Sequence, residues 1–289
     1  DQNGPFTAII HCGMAFEPEA AERDPALVLC QDQVMPLIFL RIAWAQRARF
    51  IAIGTPYVFS GSLASRDYTE KYPTAPVCPL GRLQLAAERA ILAADPRAII
   101  LRTGWLYGAP PSPAAPPAEA DLLIEAILRA GAACGPGAGL VQVPDDEIVS
   151  PTYGESLARI VLDMTLPEQK PAYVTGDEDD CVPDLRPIPG GVYHYADWGR
   201  ATLPEFATEV VRLALSRKLI DRPVEIAVQP PSAFPGRAAR PLHQHLSAQK
   251  LMHSMVLYQH PWQACLDEYL SKKTWKSPVP TCLSGCTGV

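Results

Sequence analysis

The chain has 289 residues, 48% of them hydrophobic and 19% charged, a balance that excludes an intrinsically disordered protein. A formal net charge of −6 excludes a general nucleic-acid binder, whose footprint should be basic. This length buries a sizeable core, as one large domain or as one domain and a lobe.

No apolar run is long and uninterrupted enough to span a bilayer, so no transmembrane segment is expected. The sequence opens at Asp1 instead of Met, as a processed or trimmed chain does, and no signal peptide is visible. The 8 cysteines are scattered. Only Cys282 and Cys286 are close neighbours, and no further ligands near them suggest zinc. Free thiols in a reducing compartment, such as the cytoplasm or an organelle interior, are the expectation, with a disulfide in the tail as the alternative.

Taken in order, Phe6 to Cys12 reads as a short apolar strand. Pro25 to Arg47 reads as a helix, with Leu27, Leu29, Val34, Leu37, Ile38 and Ile42 periodic. Phe50 to Gly61 is a β-branched run ending in small and hydroxylated residues, which predicts a buried strand. The stretch beginning Pro79-Leu80-Gly81 enters a helix whose apolar face is predicted from Leu83, Leu85, Ala86 and Ala90. Ala98 to Arg102 is a second buried strand, leading into Thr103-Gly104-Trp105-Leu106-Tyr107-Gly108. Residues 109 to 118 form a Pro/Ala-rich linker, and Asp121 to Ala132 an amphipathic helix. Gly135-Pro136-Gly137-Ala138-Gly139 resembles a phosphate loop only superficially, because it precedes a strand and contains proline.

Beyond Ser150-Pro151-Thr152-Tyr153 a helix runs to Met164. Residues 165 to 190 are acidic and proline-rich; Asp177-Glu178-Asp179-Asp180 reads as a solvated or partner-facing loop in preference to a cation site. Gly191 to Tyr195 is a strand, and Thr202 is the expected N-cap of the next helix, with Pro204 and Glu205 in its first turn. His243 and His245 alternate along an extended segment, and two histidines without a third ligand do not predict a metal. Trp262 to Leu270 is the last helix. Tyr269 and Lys273 have a Tyr-x-x-x-Lys spacing but follow no active-site strand.

Several of these stretches resemble the short-chain dehydrogenase/reductase superfamily, and within it the dTDP-4-dehydrorhamnose reductase branch. That branch also contains the non-catalytic regulatory β subunit of methionine adenosyltransferase. Gly54 to Gly61 is similar to its Ser-Thr-Asp-Tyr-Val-Phe-Asp-Gly strand, Arg102 to Gly108 to its Arg-Thr-Ser-Trp-Val-Tyr-Gly turn, and Ser150 to Tyr153 to its Ser-Pro-Thr-Tyr. Arg240-Pro241, within Ala233 to Leu251, is similar to its Arg-Arg-Pro. The resemblance runs from Phe6 to Leu270. It implies a Rossmann-like doubly wound parallel α/β sheet, without its N-terminal βα units, and a smaller C-terminal substrate-type lobe. The implied division is a partial Rossmann-like domain over 1–150, a return segment and lobe over 151–270, and an extension over 271–289.

The departures shape the expected function. The family's helix reads Tyr-Gly-x-x-Lys-Leu-x-x-Glu. Aligned on Gly81, Leu85 and Glu88, its Tyr falls on Leu80 and its Lys on Gln84. Leucine has no proton to give and glutamine no charge to depress a phenol's pKa. Thr55 matches the hydroxyl that binds the substrate oxygen. His11 and Cys12 stand where the family's Asn-Ala passes the cofactor, and no glycine-rich turn follows a strand near the N-terminus. The resemblance therefore leaves His11, Thr55 and Thr103 as degenerate cofactor contacts and expects no cofactor, or NADP(H) if an upstream cofactor half exists. It places Trp105 and Arg240 at the substrate pocket, with Trp105 packing under the lobe as an equal alternative. The expectation is a catalytically inactive structural or regulatory subunit whose sheet edge near residues 6–12 is covered by another protein subunit. The alternatives are an NADPH-dependent nucleotide-sugar reductase using Tyr57 or Tyr107 as a replacement acid, and a nucleotide-binding regulatory subunit.

Overall fold

In the computed structural model the described residues are 6–13, 18–63, 66–108, 118–132, 139–165, 188–255 and 257–273. The linker, the acidic loop and the tail extension fall largely or wholly outside them. In chain order the first half contains β1 (Ala8–His11), α1 (Pro18–Arg23), α2 (Pro25–Leu29), α3 (Met35–Ala45), β2 (Arg49–Gly54), α4 (Pro79–Ala94), β3 (Ile99–Thr103), β4 (Trp105–Tyr107) and α5 (Glu119–Ala132). The second half contains β5 (Gly139–Pro144), β6 (Ile148–Val149), β7 (Pro151–Tyr153), α6 (Gly154–Thr165), β8 (Gly191–Tyr195), β9 (Ala201–Thr202), α7 (Leu203–Ser216), β10 (Val224–Gln229), α8 (Gln249–Ser254) and α9 (Trp262–Lys272).

A 4-stranded parallel sheet in the order β1-β2-β3-β8 organises the larger unit. Its strands read as continuous apolar runs because both faces are covered. Ile51, Ile53, Ile99 and Leu101 pack with Leu157, Ile160 and Val161 of α6 on one face. Phe50, Ala52 and Ile100 pack with Leu40 and Ala43 of α3 and Ile91 of α4 on the other. The Rossmann-like α/β class is thus observed. Among the described strands β1 forms an edge, with Phe6 and Ile10 exposed beside it. A second core joins α5, α7 and α9 beneath the parallel β5–β10 pair. Thr202 caps α7 as expected, in a reciprocal capping box with Glu205.

Two helices differ from their sequence reading. The segment Pro25–Ala45 is continuous, but Cys30–Val34 forms a π-turn between α2 and α3. Val28, Asp32, Leu40 and Ala43 face inward, whereas Leu27, Leu29, Val34, Ile38 and Ile42 are exposed. A helix apolar on most sides gives periodicity little power to choose the buried face. By length and composition alone this 21-residue segment is long and apolar enough to cross a membrane, a test that the core helix of a globular fold passes as well.

In α4 the inward stripe is Leu80, Gln84, Ala87, Glu88 and Ile91, rotated from the predicted Leu83, Leu85, Ala86 and Ala90. Charge complementarity explains the rotation. Glu88 meets Arg102 of β3 in a buried fork, with Nε–Oε1 at 2.9 Å and Nη2–Oε2 at 2.7 Å. His194 of β8 lies 3.4 Å from the Arg102 Nη1, and its Nδ1 is 3.0 Å from the Tyr68 carbonyl.

Burial, and secondarily the Arg102 charge, push the His194 imidazole down to about 3. The unfolded imidazole titrates near 6.5, so below that pH the unfolded state binds a proton that the folded state refuses. The contribution is intact above about pH 6.5 and is lost as pH falls toward about 3. Its steepest slope is about 1.4 kcal/mol per pH unit. His194→Asn is expected to flatten the acid limb of a stability–pH curve relative to wild type; parallel curves from urea titrations would contradict it.

Candidate functional site

The carboxyl ends of β1, β2 and β3 place His11, Thr55 and Thr103 along one edge of the larger unit, the location where open α/β sheets bind ligands. Thr55 is buried and extended; its Oγ1 accepts a 3.4 Å hydrogen bond from the Tyr57 amide, opening a short 3₁₀ turn at Pro56–Val58. The N-terminus of α4 docks onto that turn. Its N-cap is Cys78, whose Sγ accepts from the Gly81 amide at 3.5 Å. A Cβ on Gly81 would sit 2.1 Å from the Tyr57 carbonyl oxygen, so only glycine permits this approach. Gly81→Ala is expected to force α4 off the turn and cost about 1–3 kcal/mol, read as a lower urea midpoint.

Leu80 is buried in one apolar cluster with Ala21, Val28, Tyr57 and Cys78. Gln84 is fully buried one helical turn on. Leu80 and Gln84 therefore occupy the inner face of the helix, as the family's Tyr and Lys spacing requires, but with different chemistry. His11 tilts against Phe39 at 5.7 Å, and burial lowers its imidazole from the ordinary value. The His11 Nδ1 and Thr103 Oγ1 are buried without hydrogen-bond partners among the described residues. These two orphaned atoms flank Thr55 and fit the polar nicotinamide end of a dinucleotide. A glycine-rich fingerprint does not follow a strand in this sequence, so no residue here is assigned to the pyrophosphate.

Trp105 belongs to the second core. Its ring meets Phe206 edge-on at 5.1 Å. Tyr107 is buried in that core too, stacked on Tyr153 at 5.6 Å, with its hydroxyl 3.5 Å from the Trp262 carbonyl. Tyr107 thus belongs to the second core, whereas Tyr57 belongs to the cluster with Leu80. Tyr57, by contrast, sits at the end of β2. Burial, and then the Glu119 charge, raise its phenol above the ordinary tyrosine value, while Arg240 acts in the opposite sense.

Arg240 is nearly enclosed by carboxylates. Its Nη1 lies 2.7 Å from Glu19 Oε1, its Nη2 3.2 Å from Glu119, and its Nε 3.8 Å from Glu147. Burial alone would lower the guanidinium, but Glu119 and Glu19 hold it above its usual value. Burial likewise pushes Glu19 up, and the bonds from Arg240 and the Ala238 amide outweigh it. Arg237 adds pairs to Asp146, at 3.1 Å, and to Glu147. The sequence reading found Arg240 and missed its carboxylates. Asp145-Asp146-Glu147 before the Ser150 motif was the available signal, whereas nothing near Glu19 marked it.

His243 and His245 lie apart, with ring centroids 6.4 Å from one another, and no group of three metal-ligating residues occurs among the described residues. Cys12, Cys30, Cys78 and Cys265 are free thiols. Cys134, Cys181, Cys282 and Cys286, and the acidic run at 177–180, lie outside the described residues.

A dTDP-4-dehydrorhamnose reductase of Mycobacterium tuberculosis is 32% identical over 157 residues, which are 53% of this chain and 48% of that protein. The chain thus matches about half the length of that relative. The Mycolicibacterium smegmatis dTDP-4-dehydrorhamnose reductase is 26% identical over 276 residues, 94% of this chain and 73% of the relative. The solved dTDP-4-dehydrorhamnose reductase of Bacillus anthracis, in complex with NADP, superposes with a TM-score of 0.72 at 22% identity, covering 92% of this chain and 81% of that one.

These likenesses overturn the expectation of an inactive structural or regulatory subunit, since the relatives are named as enzymes. The inference had rested on Leu80 and Gln84 at the Tyr and Lys positions, on the lack of a glycine-rich turn after an N-terminal strand, and on the uncovered sheet edge. The Bacillus anthracis structure holds NADP, and the expectation of no cofactor finds no support in it. The profile of the RmlD substrate binding domain matches residues 2–274, nearly the whole chain, and the chain belongs to that family.

Proposed function

We propose that this chain is an NADP(H)-dependent reductase of a dTDP-linked 4-keto sugar, with Tyr57 as the proton donor. The observation that carries the reading is the position of Tyr57. It lies at the carboxyl end of β2, in one cluster with Leu80 and within the field of Arg240.

A reduced nicotinamide, when bound, supplies hydride to the carbonyl carbon. The chain's part is to bind and protonate the carbonyl oxygen. The Thr55 hydroxyl accepts from the Tyr57 amide, which leaves its own O–H to donate to that oxygen. Tyr57 is protonated at neutral pH, the form a general acid requires. As the phenol loses its proton, Arg240 stabilises the phenolate, a role that Gln84 cannot perform. Arg240 is therefore assigned to Tyr57 instead of to the nucleotide diphosphate, since three carboxylates already engage it. His11 and Thr103 are assigned to the nicotinamide end through their orphaned polar atoms.

Steady-state turnover tests the reading. The chain is expected to consume reduced cofactor only when dTDP-4-dehydrorhamnose is present. Binding of that sugar nucleotide without any consumption of cofactor would contradict it.

A further inference from the structure

A cavity of about 430 Å³ opens at the carboxyl end of β8, and none of His11, Thr55, Tyr57, Leu80, Gln84, Thr103 or Arg240 lines it. Its volume falls in the range of about 300–1,000 Å³ typical of small-molecule sites. Ser150, Asp197 and His245 contribute buried polar groups to its lining. Asp197 accepts from the Tyr153 amide at 2.8 Å and from the Tyr195 hydroxyl at 3.0 Å, and His245 lies 3.4 Å from Asp67.

The other lining residues are unlike the floor. Trp198 is 65% exposed, although its backbone is held on both sides: its amide donates to the His260 carbonyl at 2.9 Å, and its carbonyl accepts from the Trp262 amide at 3.1 Å. The fold therefore anchors the backbone of Trp198 while its indole stays at the surface and outside the core. Arg200, exposed, enters no ion pair among the described residues, and Gln249 is exposed on the same lining.

We infer that this cavity is a second binding site, and that it takes a neutral saccharide. Three features select that class. A pyranose ring presents apolar C–H faces to an indole and hydroxyl edges to planar donors and acceptors such as Asp67, Arg200 and Gln249. The single cation, Arg200, is offset by Asp67, so the site lacks the excess positive charge that a phosphate demands. The buried polar floor disfavours a purely apolar ligand, which would strip those groups of water. The inference is independent of the reductase reading, since the two sites share no lining residue.

The test is saturation-transfer NMR on the full chain, with methyl α-D-glucopyranoside and methyl α-D-mannopyranoside as probes and thymidine as the nucleoside control. Transfer to the ring protons of at least one glycoside is expected. Trp198→Ala should reduce it by about fivefold, the loss of one aromatic contact. Gln249→Ala, at a second exposed position, should weaken it as well, and excess dTDP should leave it unchanged. No transfer to either glycoside, transfer to thymidine alone, transfer undiminished in both variants, or displacement by dTDP would each overturn the inference.

Discussion

Arg102→Ala is expected to lower the unfolding free energy by about 3–5 kcal/mol, as removing one partner of a buried ion pair does. Both partners of the Arg102–Glu88 pair are almost entirely buried, at 4% and 3% exposure of their side chains. Truncating the arginine leaves the Glu88 carboxylate without its bidentate partner in a site that water does not reach. It also removes the guanidinium lying 5.2 Å from the centre of the Phe59 ring and 3.4 Å from His194. The cost is chiefly the uncompensated charge and not the net worth of the ion pair. Arg102→Met combined with Glu88→Leu should therefore recover most of the loss, since the desolvation penalty disappears with both charges. Urea midpoints at unchanged m-value distinguish these outcomes. A single variant within about 1 kcal/mol of wild type would show that the pair is not desolvated in solution.

Tyr57→Phe carries the largest expected effect on activity, a loss of about 10²–10⁴ in kcat, the usual contribution of a positioned general acid. The substitution keeps the ring packed against Ala21, Val28, Cys78 and Leu80 and removes only the hydroxyl. Stability should change by about 1 kcal/mol or less, so that a fall in turnover is chemical in origin. Arg240→Met should also lower kcat, because it removes the cation facing the phenol. It should move the alkaline limb of the rate profile upward as well, since Tyr57 then loses the charge that opposes the rise caused by burial. Turnover unchanged in Tyr57→Phe would remove Tyr57 from the reaction while leaving the reductase activity itself intact.

Much of the fold was legible in the sequence, for identifiable reasons. Phe50–Ile53 and Ile99–Leu101 are buried on both faces of the sheet, so their unbroken apolar character predicted strands without needing alternation. Thr202 and Glu205 announced their helix by a local capping pattern that tertiary contacts do not override. The α4 face was misread because its inward stripe includes Gln84 and Glu88. Hydrophobic periodicity cannot anticipate a buried glutamate whose partner, Arg102, comes from another element. The same limit hid the carboxylates around Arg240, which arrive from α1, α5 and the segment before β6. The strand β10 went unread because its burial alternates weakly and its partner β5 is 85 residues away at the Val224–Gly139 register.

The functional error had a different origin. Leu80 and Gln84 were identified as the residues at the Tyr and Lys positions, and the structure puts both on the buried face of α4, away from the face that was predicted. In sequence the reductase, with Tyr57 or Tyr107 as a replacement acid, ranked below the inactive subunit because the helix lacks the family's Tyr and Lys. Tyr57 approaches the same cluster from the end of β2, and a one-dimensional motif comparison does not see that convergence.

Reduction with cofactor deuterated at the nicotinamide C4 position tests the central claim most directly. The full chain is incubated with this cofactor and dTDP-4-dehydrorhamnose, and the sugar nucleotide is analysed by mass spectrometry. The account predicts a reduced sugar carrying one deuterium at its former carbonyl carbon, formed at a rate that Tyr57→Phe depresses. Recovery of unreduced sugar nucleotide after prolonged incubation with the folded protein would contradict it.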